Sequence, residues 1–205
     1  MIHARDVEDF GLEGIAVLGG VAATREARRL LDEYLSGNIL RQSGVTSAGE
    51  INAFLRQLRL LTDVPSAGPR ATLEMLERSA DIDFAALGAR YLKQTQWRAQ
   101  GRRFYIDKLP SNLRVVNLIR RALPQAVILH SARDPMDLCF SNFKAMFGNA
   151  SAYSYDQQSL AHYHGQYMRR AEHWHATLPG AMLDVQHAAL VDDPETVNGQ
   201  VLHHR

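Results

Sequence analysis

The segment Val127-Ile-Leu-His-Ser-Ala-Arg-Asp-Pro-Met-Asp-Leu-Cys-Phe-Ser141 constrains the fold of this chain more than any other. A short apolar run ends at a single arginine, and a helix start follows at once. Asp134 is suited to be an N-cap, Pro135 to the first helical position and Asp137 to the first turn. An apolar run of this length reads as a strand buried on both faces. A buried strand that hands straight to a helix is the unit of a parallel sheet. Ligands of such sheets collect where strands end and helices begin.

The rest of the chain repeats the alternation. Apolar runs at 15–18, 104–106, 126–130 and 181–185 predict strands. Helical spacing predicts helices over 26–35, 50–61, 72–79, 84–97, 113–123, 135–147 and 155–178, with Pro124 and Pro179-Gly180 as stops. Residues 39–49 read as a mixed connection and 65–69 as a loop. Short strands alternating with helices predict an α/β fold, a three-layer sandwich with a central parallel sheet and helical insertions. The 205 residues are enough for a single domain with a real core.

Composition excludes several classes of function. The formal net charge is +1, so no nucleic acid or membrane partner is expected from a global field. Any anion must be held by local groups. The single cysteine, Cys139, allows no internal disulfide. The first ten residues carry Arg5, Asp6, Glu8 and Asp9 and no apolar signal core, so the expected location is cytoplasmic. Four histidines, His162, His164, His173 and His175, share one predicted helix. None is four residues from another, so no metal site is expected there.

Helix N-termini favour anions, and an arginine beside one holds a phosphate in a two-pronged grip. Arg133 stands at such a position, and Ser141 lies ~10 Å along the helix from its cap. Both could reach a phosphate lying beside the first two turns. The alternative is an Arg133–Asp137 pair with Ser141 facing solvent.

The residues from 84 to 194 resemble the PAPS-dependent sulfotransferases (PAPS is 3′-phosphoadenosine 5′-phosphosulfate), specifically the bacterial enzymes related to tyrosylprotein sulfotransferases. The resembling pieces are Leu87-Gly-Ala-Arg-Tyr-Leu92, Asp107-Lys-Leu-Pro-Ser-Asn112, Leu123-Pro-Gln-Ala126, Arg133-Asp-Pro-Met-Asp137 with Ser141, Tyr153-Ser-Tyr-Asp156, and His173-Trp174 before Leu178-Pro-Gly180. Ser47-Ala-Gly-Glu-Ile-Asn52 extends the match upstream. Each piece is weak alone; their order makes the set specific.

The resemblance implies a P-loop-like nucleotide-binding topology with PAPS as co-substrate and no metal. Arg133 and Ser141 would bind the 3′-phosphate. Lys108 would touch the transferring sulfuryl group or its bridging oxygen. Glu50, by its position alone a first-turn helix acid, would take the acceptor's hydroxyl proton. The acceptor would be a small molecule, a carbohydrate or a peptide.

Three departures stand against this pattern. The family's sulfate-side loop is of Pro-Arg-Ser-Gly-Thr-Thr type, whereas here Gly19-Gly-Val-Ala-Ala-Thr-Arg-Glu26 follows the first strand. Aligned backward from the next helix, Arg25 takes the loop arginine's place, with Glu26 and Ala27 where Ser and Gly belong. Where the family has Tyr-Glu-Asp near the adenine, this chain has His187-Ala-Ala189. It stops at Arg205, before the family's basic loop over the 3′-phosphate. The expected function is sulfuryl transfer from PAPS to a hydroxyl or phenol, at a low rate. The rival is a non-catalytic remnant with at most weak nucleotide binding.

Overall fold

The computed structural model describes residues 14–19, 45–65, 68–101, 104–145, 147–193, 195–197 and 200. Among them are five strands, β1 (Gly14–Gly19), β2 (Val45–Gly49), β3 (Phe104–Lys108), β4 (Val127–Ala132) and β5 (Met182–Gln186). They form one sheet in the order β2-β3-β1-β4-β5, and every neighbouring pair is parallel. Helices α1 (Ala53–Leu61), α2 (Pro69–Arg78) and α3 (Phe84–Thr95) fill the connection from β2 to β3. A 3-10 segment, Pro110–Val115, and α4 (Val116–Ala122) lead on to β4. Then come α5 (Pro135–Lys144), a second 3-10 segment (Gly148–Tyr155), α6 (Gln157–Thr177), β5 and α7 (His187–Asp192).

The helix starts follow their caps. Asp134 accepts from the N–H groups of Met136 and Asp137, with Pro135 opening α5. Asp83 caps α3 through Ala86, and Asp156 caps α6 through Ser159. Gly88 sits where α3 meets the end of α4: a Cβ there would lie 2.1 Å from the Ala122 carbonyl oxygen. Only glycine allows that approach.

Both faces of the sheet are buried. Val17 is level with Asp107 and with Ile128, so these residues share a row across the sheet. On their face Tyr105, Ile128 and Met182 pack with Leu87, Tyr91, Ile119 and Tyr167 from α3, α4 and α6. On the opposite face Ile106, Leu129 and Val185 are also buried. A sheet covered on both sides is the middle layer of the expected α/β sandwich.

Three expectations need correction. Residues 45–49, read as connection, form edge strand β2; Thr46-Ser-Ala-Gly49 carries no apolar run, and pairing with β3 alone defines it. The helix predicted from residue 50 begins at Ala53, so Glu50 is not a first-turn acid. The helix predicted over 113–123 is 3-10 up to Val115. The helix predicted over 26–35, and the loop before it, lie outside the described residues.

Candidate functional site

At the C-terminal rim of the sheet, β2 ends irregularly. Its register against β3 shifts between Ser47 and Gly49, so Gly49 rather than Ala48 comes level with Asp107. Gly49 has φ +74°, a left-handed conformation that favours glycine. This bulge turns the chain so that Glu50 meets the last residue of β3. Lys108 Nζ donates to Glu50 Oε1 at 2.7 Å. Lys108 is 9% exposed, and Glu50 is the acidic partner it meets there.

Asp107, next to Lys108, is 1% exposed. Its Oδ1 accepts the Ile51 N–H at 3.2 Å, and its Oδ2 accepts the Tyr91 hydroxyl at 2.8 Å. Burial pushes its carboxyl up to about 6, outweighing both hydrogen bonds. Burial, and then the Asp107 charge, hold the Tyr91 hydroxyl well above its ordinary range. Arg98 Nη1 donates to the Ala48 carbonyl at 2.9 Å. The backbone on both sides of Glu50 is therefore tied to β3, α3 and the turn after it.

Arg133 lies at the other end of the rim, one residue beyond β4. Through Leu18, Lys108 is level with Leu129. Side chains alternate along a strand, so Lys108 shares its face with Leu129, Ser131 and, continuing past the strand end, Arg133. The Arg133 Nε is buried and finds no hydrogen-bond partner. Among the described residues no ion pair joins Arg133 to Asp137. Ser141 is half-buried on α5. Continuing the Ala132–Gln186 register brings His187, the first residue of α7, beside Arg133. Burial, and then the Arg133 charge, hold the His187 imidazole below its ordinary pKa.

The structure thus brings Glu50 to Lys108 and His187 to Arg133, with β1 between the two pairs. Arg25 lies outside the described residues. Sequence reasoning gave no role to Asp107, Tyr91 or Gly49. A signal for the first was present: a carboxylate inside a buried strand demands partners. Tyr163, Tyr167, Arg170 and Trp174 stand at helical spacing on α6, and only half of them pack inward. Tyr167 is buried and Trp174 donates to the Leu113 carbonyl at 2.6 Å, whereas Arg170 is exposed and Tyr163 stacks on Tyr153.

A parallel sheet with cations at its C-terminal rim is suited to an anionic nucleotide. No helix among the described residues is long and apolar enough to cross a membrane. The fold matches the sulfotransferase domain of the curacin biosynthetic pathway (TM-score 0.54, 16% identity, 91% of this chain and 71% of that one). It also matches the sulfotransferase domain of the Synechococcus olefin synthase (TM-score 0.52, 19% identity, 93% and 72%). A Mycobacterium tuberculosis sulfotransferase matches at TM-score 0.54 with 13% identity, over 98% and 69%. An uncharacterized protein of Aquifex aeolicus is 26% identical over 155 residues, 74% of this chain. The chain spans only 20% of that relative's length. The model of the sulfotransferase family matches residues 24–204, nearly the whole sequence, and this chain belongs to that family.

Proposed function

We propose that this chain binds PAPS and transfers its sulfuryl group to a hydroxyl or phenol on a small molecule, carbohydrate or peptide. The observation that carries this reading is the buried, unpartnered Nε of Arg133 at the end of β4. A buried donor without a partner costs about 1–3 kcal/mol, and more when charged. A phosphate beside α5 would remove that cost. In this reading Arg133 and Ser141 hold the 3′-phosphate, and His187 lies near the adenine. Arg25 would approach the sulfate side.

Chemistry would occur at the β2–β3 end. The acceptor oxygen attacks sulfur as the bond from sulfur to the bridging phosphate oxygen breaks. Glu50 takes the hydroxyl proton, and Lys108 neutralises charge developing on the leaving oxygen. Their ion pair at 2.7 Å is then the resting arrangement. Donor binding draws Lys108 to the leaving oxygen and frees the carboxylate for the acceptor. The products are a sulfate ester and adenosine 3′,5′-bisphosphate.

The loop Gly19-Gly-Val-Ala-Ala-Thr-Arg-Glu26 favours a second reading, a non-catalytic sulfotransferase-like remnant with at most weak nucleotide binding. Glu26 would bring negative charge toward a phosphosulfate. Calorimetry tests the nucleotide site. Adenosine 3′,5′-bisphosphate should bind more tightly than adenosine 5′-monophosphate by ~1.5–3 kcal/mol, the worth of charged hydrogen bonds. Arg133→Ala should erase most of that difference. Equal affinity of the unmutated chain for the two nucleotides would overturn the assignment of Arg133 and Ser141 to the 3′-phosphate. Turnover of radiolabelled PAPS with phenols, sugars and peptides then separates enzyme from remnant.

A further inference from the structure

The face of the sheet turned away from Lys108 and Arg133 carries a second cluster. His130 on β4 is level with Asp184 on β5, and His175 reaches both from the last turn of α6. His130 Nδ1 lies 2.7 Å and His175 Nε2 lies 3.0 Å from the same oxygen, Asp184 Oδ1. All three donor atoms fall within 4.8 Å of one another. We propose that these side chains form a binding site for a divalent transition-metal ion of the zinc class. This proposal is independent of the sulfuryl-transfer reading.

The donor set selects the ion. Two imidazoles and one carboxylate suit Zn(II), Co(II) or Ni(II), whereas Mg(II) and Ca(II) favour all-oxygen sites. Ligands of a tetrahedral zinc stand at ~2.0–2.1 Å, which sets them about 3.3 Å apart. The two imidazole–carboxylate contacts need only open by a few tenths of an ångström to reach that spacing. His175 and Asp184 have 40% and 41% of their side chains exposed, so they can adjust and water can complete the shell. His130, with only 3% exposed, supplies the fixed ligand.

Its orientation is set from behind. The His130 Nε2 bonds the hydroxyl of Tyr167, which is itself buried on α6. That contact aims Nδ1 at the cluster, as outer partners of metal-bound histidines do. Sequence reasoning considered only helical spacing within α6. The cluster joins two strands and a helix, and could not be seen that way. On the far face from Lys108, the ion would act by fastening β5 to α6. Binding to the native state alone raises stability.

The test uses the full, untagged chain stripped with chelator and titrated with Zn(II) alone against a chromophoric competitor. One ion per chain is expected. His175→Ala and Asp184→Asn should each weaken binding at least about tenfold, and Tyr167→Phe should weaken it by about tenfold with the stoichiometry retained. Co(II) should give visible bands that His175→Ala removes. His175 and Asp184 are partly exposed, so these variants should fold, and circular dichroism checks that they do. Absence of binding by the unmutated chain at micromolar Zn(II) overturns the proposal. So does unchanged affinity in both the His175 and Asp184 variants, which would put the ion on other histidines.

Discussion

The two ends of the sheet's rim handle positive charge in opposite ways. At the β2–β3 end, Lys108 already has a carboxylate partner, Glu50, and the backbone beside Glu50 is clamped by Asp107. At the β4–β5 end, Arg133 keeps a buried Nε without any partner, and its neighbour His187 is an imidazole that the arginine itself helps keep neutral. One cation has its acidic partner within the chain, and the other leaves a buried donor atom with none. In the proposed reading Lys108, paired at 2.7 Å, changes partners during the reaction. In the same reading Arg133 supplies standing affinity for the nucleotide.

The largest test of this contrast is Lys108→Ala. If Lys108 acts on developing charge, donor turnover should fall about 10²–10³-fold. Calorimetric affinity for adenosine 3′,5′-bisphosphate should barely change. If that affinity collapses instead, the two ends do not divide the work and the contrast fails.

Asp107→Asn probes the clamp through its pH dependence. Folded Asp107 titrates at about 6, against 3.8 for the ordinary side chain. Between those values the native chain keeps a proton that the unfolded chain has released. Its contribution to stability is therefore full below the lower value, falls as pH rises through the window, and is level above about 6. Denaturant melts from pH 4 to 7 should show a component on the order of 1–3 kcal/mol that the variant lacks. An identical profile in the two proteins would mean that Asp107 is not the buried acid it is taken to be.

The smallest effect belongs to His187. A neutral imidazole makes at most an ordinary hydrogen bond or stack, so His187→Ala should weaken nucleotide binding by ~1 kcal/mol or less. Titration calorimetry beside Arg133→Ala ranks the two. A larger loss at His187 than at Arg133 would move the anchor of the second end from the β4–α5 turn to α7.

The sheet was legible wherever strands carry apolar side chains. Runs at 104–106 and 126–130 located β3 and β4, though both strands continue to Lys108 and Ala132. Their last residues are turned over to the rim and lose the apolar signal while keeping the backbone ladder. β2 was not legible, because Val45-Thr-Ser-Ala-Gly49 becomes a strand only through β3. Arg133 and its capped helix were legible because every signal is local: an apolar run, an N-cap, a proline at the first position. The family resemblance was legible from ordered short motifs, and the match over residues 24–204 bears out the sulfotransferase family, though not the tyrosylprotein branch of it.

Sequence alone therefore determined the α/β alternation, the capped helix start at Asp134, and the candidate cations Lys108 and Arg133. These rest on periodicity, capping and neighbouring residues, which act over a few positions. Tertiary structure decided which groups meet. Lys108 faces Glu50 from 58 residues away, Asp107 holds Ile51 from 56, and His130 meets Asp184 from 54. Strand order and register set those contacts. Burial then fixes their charge, because a side chain's affinity for its proton depends on the water and partners that the finished fold leaves it.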